Sequence, residues 1–123
     1  MQEQSASIKE RYVLITMMFS NLTPHQINVV DAAGAPTLTL PASGTVARCR
    51  ATATETERHC GVPVFKTVYG EVEGLPEPQD GVLYVVSALV REAVKATRTD
   101  VVSPAEFVRD SEGKILGCKG LTR

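Results

Sequence analysis

No segment of the chain holds the ~20 apolar residues that a membrane-spanning helix needs, so no stretch reads as a transmembrane helix and no membrane partner is expected. The three cysteines, Cys49, Cys60 and Cys118, are odd in number and widely spaced. That is neither a disulfide framework nor a zinc motif, and they read as reduced thiols in a reducing compartment. Two isolated histidines, His25 and His59, supply no metal-ligand spacing. Net charge is only −1 and the sequence pI about 6.1, which argues against a nucleic-acid polymer as partner, because such binders usually carry a basic patch. A small phosphorylated ligand stays open, since it needs only a few local arginines. No catalytic signature, phosphate loop, internal repeat or low-complexity tract appears.

What is present is an ordinary globular composition, 43% hydrophobic and 22% charged, in 123 residues, which fits one domain. The most informative stretch runs from Thr67 to Val102. Asp80-Gly81 marks a turn. Val82-Leu83-Tyr84-Val85-Val86 is a continuous apolar run, as expected of a strand buried on both faces. Ser87 suits a helix N-cap. From Ala88 to Ala96 the apolar residues recur with helical period, opposite Arg91, Glu92 and Lys95. A helix of about three turns is marginal alone and must pack on a sheet. Between Gly70 and Gly81, glycines and prolines crowd into a loop, with Leu75 to Pro78 extended.

The remainder reads as short strands. Tyr12 to Phe19 is an apolar strand, or residues 1–17 are a poorly ordered leader, with a single β-rich domain over 18–123. Gln26 to Leu40 has the alternation of a hairpin about Asp31–Gly34. Thr45 to Thr56 is a long strand, at an edge or running into a loop. Glu55 to Gly61 reads as a charged, mobile connection, and Val62 to Tyr69 as the next strand, with Pro63 near its start. Ser103-Pro104 resembles a single helical turn, and residues 107–118 a terminal hairpin. The expectation is an α+β, β-rich fold: a small antiparallel β-sandwich or sheet with one main helix.

Candidate site residues are sparse. His25, with Asn21 and Thr23, could line a ligand or act as a base, but no carboxylate or nucleophile lies nearby in sequence, and a structural or turn role explains it better. Glu71 and Glu73 share a strand face and could form an acid/base pair, or simply a solvated edge. Arg48 and Arg50 share a face of the long strand, Arg98 follows the helix, and Arg109 lies in the terminal hairpin. Guanidinium forks match phosphate geometry. Tyr84, Phe65 or Tyr69 could stack on a nucleobase, although core packing accounts for Tyr84 as well.

Four segments together are similar to small proteins of phage and prophage genomes: NLTPH at 21–25, TVYGEVEGLPEPQDGVLYVVSALV at 67–90, RTDVVSP at 98–104 and FVRDSEGKILGCKGL at 107–121. In length, strand-rich pattern and Arg/aromatic content the chain further resembles the first family of Thoeris anti-defence proteins. These are sponges that sequester cyclic ADP-ribose isomers, and in some members cyclic oligonucleotides, without cleaving them. The resemblance implies a homo-oligomer (dimer or hexamer) in the host bacterial cytoplasm, with a cyclic nucleotide between protomers. It implies no catalytic residue, metal or cofactor. Ligand contacts would fall to Arg98 and Arg109 on phosphates, Tyr84 stacking, and Asn21, Thr23 and His25 as polar walls, with Arg48 in a lesser part. A phosphodiesterase that destroys the signal, or a phage structural or assembly protein with no small ligand, are the alternatives.

Overall fold

The computed structural model describes residues 18–123; the leader expected over 1–17, and most of the Tyr12–Phe19 strand, lie outside the described residues. The described residues form eight strands and one helix: β1 (Phe19–Asn21), β2 (Ile27–Val30), β3 (Pro36–Leu40), β4 (Arg48–His59), β5 (Val62–Glu73), β6 (Leu83–Val85), α1 (Ala88–Val94), β7 (Val101–Arg109) and β8 (Ile115–Thr122). The strand-rich α+β expectation holds. Six strands make one sheet in the order β1-β6-β7-β8-β2-β3, while among the described residues β4 and β5 pair only with each other.

The sheet is mixed rather than antiparallel. β6 runs parallel to both β1 and β7, and β2 parallel to β8. The β7–β8 and β2–β3 pairs are antiparallel. The cause lies in the central stretch: β6, α1 and β7 form a strand–helix–strand crossover, which returns the chain parallel to its start. Ser87 caps α1 by accepting a hydrogen bond from the Val90 N–H at 3.3 Å.

Alternation along β6 and β7 divides the core between two faces. Tyr84, Val86 and Val101 face α1, packing with Val90, Val94, Leu22 and Ala47. Val85 and Val102 point the other way, against Ile27, Leu40 and Cys118. β6 and β2 are three places apart in the sheet yet share this second cluster, so the sheet curls over it. Burial pushes the Cys118 thiol above its ordinary pKa.

The curl brings the two edge strands together, and Asn21 joins them. Its side-chain Nδ2 donates to the Leu40 carbonyl at 3.0 Å and the His25 carbonyl at 2.8 Å. Its Oδ1 accepts from the Thr23 N–H at 3.0 Å and the Thr23 hydroxyl at 2.7 Å. Its backbone carbonyl takes the Ser43 N–H at 3.0 Å. Every polar atom of this buried amide is thus satisfied.

Two local expectations are corrected. Ser103-Pro104 is not a helical turn but part of β7, with Ser103 buried. β6 pairs with β7 only at Val101 and Val102, so Pro104 sits where its missing N–H faces no strand on that side. Glu55 to Gly61 is not a loose connection. It is the end of β4 and a two-residue turn, Cys60-Gly61, with φ of 51° and 81°. Positive φ at both positions matches the right-handed twist of a hairpin, and glycine takes it freely. β4 and β5, twelve residues each, therefore form one ribbon about 40 Å long. Cys49 and Val72, at its base, pack on the cluster that holds Val90 and Val94 of α1.

Candidate functional site

An open cleft of about 690 Å³ lies where the ribbon leaves the body. Its floor is Leu22, Ala47 and Val90, and Leu89 forms an apolar side. The ribbon supplies Arg48, Cys49 and Arg50 from β4 and Gly70, Glu71 and Glu73 from β5. Thr23 and Ser87 bring hydroxyls from the body.

The local sequence explains how the arginines reach it. Cys49 pairs with Val72, but Ala51 pairs with Tyr69, so Gly70 and Glu71 together oppose Arg50. This bulge twists the ribbon. Cys49 packs partly against the core below, and the arginines on either side of it both line the cleft. The lower wall is fixed by Gly74, whose φ is +80° and where a Cβ would stand 2.5 Å from the Val46 carbonyl oxygen. No side chain fits that approach. The Ala47 N–H donates to the Leu22 carbonyl at 2.9 Å, tying this wall to the segment after β1.

Arg48 and Arg50 are exposed. The four ion pairs among the described residues engage Arg58, Arg91, Lys95 and Arg98. Arg48 and Arg50 belong to none of them, although Glu73 sits opposite Arg48 in the strand register. The cleft therefore offers two guanidinium groups and two carboxylates not joined to one another. It can bind phosphate oxygens through the first, hydroxyls through the second, and an apolar ring over its floor.

The other expected site residues are not gathered here. Arg98 holds Asp100 by a two-pronged ion pair, Nε to Oδ1 at 2.9 Å and Nη2 to Oδ2 at 2.9 Å, and Nη2 also donates to the Pro76 carbonyl at 2.9 Å. Its guanidinium stands 5.8 Å from the Tyr84 ring centre. The Asp100 hydrogen bond raises the pKa of Arg98, and the Arg98 hydrogen bond holds the Asp100 carboxyl below its usual range. Tyr84 is 2% exposed and its hydroxyl donates to the Glu77 carbonyl at 3.1 Å. The ring cannot stack on a ligand without leaving the core. Arg98 and Tyr84 thus clamp the 75–78 loop to the end of α1. Arg109, at the far end of β7, donates to the Gly113 carbonyl at 2.8 Å within its own turn. Asn21 is a buried seam residue rather than a pocket wall. Thr23 does line the cleft; His25 is exposed and outside it.

Sequence reasoning ranked Arg48 low and omitted Arg50 from the contacts. The signal was available in their spacing on one strand, but the bulge that turns both into a cleft depends on the pairing with β5. Among the described residues no cluster of His, Cys, Asp and Glu has the arrangement of a metal site, and no helix is long and apolar enough to cross a membrane. No family model, curated protein or solved structure matches the chain.

Proposed function

We propose that the protein binds and sequesters a small cyclic nucleotide, of the cyclic ADP-ribose or cyclic oligonucleotide class, and so acts as a phage sponge against a host immune signal. The observation that carries this reading is the pair Arg48 and Arg50, free of ion pairs among the described residues and facing one cleft. A pyrophosphate or phosphodiester needs such a pair of guanidinium forks. The adjacent Glu71 and Glu73 suit ribose hydroxyls, and the apolar floor with Leu89 suits a base. These features suit a ligand that carries hydroxyls and an apolar ring as well as phosphate. Sequestration needs affinity and no nucleophile, general base or metal. The cleft is open on one side, and a second protomer in a homo-oligomer would close it.

The test is capture and release. Purified protein is incubated with cyclic ADP-ribose isomers and cyclic oligonucleotides, filtered, and then heat-denatured, with nucleotide quantified by mass at both steps. Depletion with intact recovery supports the sponge. Depletion with a product of altered mass replaces it by a phosphodiesterase. No depletion by any candidate removes both readings. The exposed β4–β5 ribbon would then favour a phage assembly protein without a small ligand.

A further inference from the structure

We propose that the outer edge of β5 is a self-association edge, occupied by β5 of a second copy of this chain, in a four-stranded antiparallel ribbon β4-β5-β5-β4. The proposal stands apart from the ligand reading.

The ribbon is anomalous as a free element. An isolated two-stranded hairpin is marginally stable in water. This one nonetheless exposes Val62 at 62%, Phe65 at 58% and Val68 at 47%, with Val64 and Tyr69 also exposed. Its two edges differ. β4 carries Glu55, Glu57 and Arg58 towards its tip, and Thr56 is an extra residue between the Glu55–Phe65 and Glu57–Val64 pairs. Charges and bulges of this kind discourage edge pairing. β5 has no bulge between Val62 and Tyr69, and Lys66 is its single charge there. It is an open edge.

The chemistry of that edge selects a second copy as occupant. β5 is self-complementary when paired antiparallel about Thr67. Phe65 then lies opposite Tyr69 of the second copy, and the same aromatic pair recurs across the two-fold axis. Lys66 lies opposite Val68, and the regular pairing ends before the Gly70-Glu71 bulge on one side and Pro63 on the other. No like charges meet, whereas an axis one residue earlier would set Lys66 against itself. Cross-strand aromatic pairs stabilise such ladders and opposed like charges weaken them. A two-fold pairing is also closed, so it satisfies the edge without forming a fibre.

Sedimentation equilibrium on the full chain tests this. A dimer is expected at micromolar concentration. Phe65→Glu, at an exposed position, should raise its dissociation constant roughly 100-fold with unchanged circular dichroism, because two such charges enter one ladder. In a Cys60→Ser background, Thr67→Cys should oxidise readily to a covalent dimer, since directly opposed residues stand at a disulfide-compatible distance. Thr54→Cys on β4 in the same background should not. A monomeric wild type would overturn the proposal. So would a dimer indifferent to Phe65→Glu, or one crosslinked as well through position 54 as through 67.

Discussion

Replacing Asn21 by alanine removes four side-chain hydrogen bonds at the seam between the two edges of the sheet. The bond to the buried Leu40 strand goes together with the other three, so the expected loss is about 2–4 kcal/mol. Urea denaturation should show a lower midpoint with an unchanged slope; a loss below about 1 kcal/mol would mean that the seam does not depend on this amide. Asp100 gives a second residue-scale expectation. Its folded carboxyl is held low by Arg98. The stability it contributes is present above the unfolded value of about 3.9 and disappears as pH falls through the lower folded value. Asp100→Asn should therefore destabilise at neutral pH. Its deficit relative to wild type should shrink as pH falls below about 4, as the unfolded chain's carboxyl protonates first and the folded one lower still. A deficit constant down to pH 2 or so would show that charge plays no part. Asn21 was legible as one of a small polar cluster, but its role was not. A sequence shows that Asn21, Thr23 and His25 are neighbours; it does not show that β3 arrives from the opposite edge to take the amide. Likewise Tyr84 offers the same ring whether it faces α1 or a ligand, and only the pairing of β6 with β7 decides.

Among the elements, the strand over 82–86 and the helix after it were readable because their signals are local. Five consecutive apolar residues, a serine cap and a 3.6-residue period need no partner to be recognised. The parallel direction of β7 was also implicit there, since an apolar run, a helix and the pair Val101-Val102 form the pattern of a crossover. It was missed because the short strands elsewhere suggested an antiparallel sheet. The ribbon was missed for a different reason. Its turn residues are Cys60-Gly61 rather than the usual Asn-Gly, and the charges of Glu55 to Arg58 imitate a solvated loop. That turn yields an element-scale prediction. Cys60 holds φ at 51°, a region that asparagine tolerates better. Cys60→Asn should stabilise the ribbon tip locally by ~0.5–1 kcal/mol. Hydrogen exchange of the amides near His59 and Val62 should slow accordingly, while the global unfolding midpoint barely moves. Faster exchange at the tip would show that the thiol makes a favourable contact there.

At the scale of the molecule, the cleft exists only because the ribbon, the segment after β1 and the start of α1 converge, and none of these is near another in sequence. The arginines that reach it could be named in advance, but not distinguished from Arg98, which is occupied by Asp100, or Arg109, which is occupied by its own turn. This difference makes the proposed function testable residue by residue. Arg48→Ala and Arg50→Ala should each weaken nucleotide capture about 10–100-fold, the range for losing a charge-assisted hydrogen bond to phosphate. Both sites are exposed, so the fold should be unaffected, and capture by the wild type should fall with added salt. Arg109→Ala should capture as wild type does. Arg98→Ala should lose stability first, because it leaves Asp100 without its partner, and capture only as folded protein is lost. If Arg109→Ala abolished capture while Arg48→Ala and Arg50→Ala did not, the ligand would sit on the β7–β8 hairpin. The open cleft at the base of the ribbon would then be a consequence of how the ribbon is attached, and not the place where the protein acts.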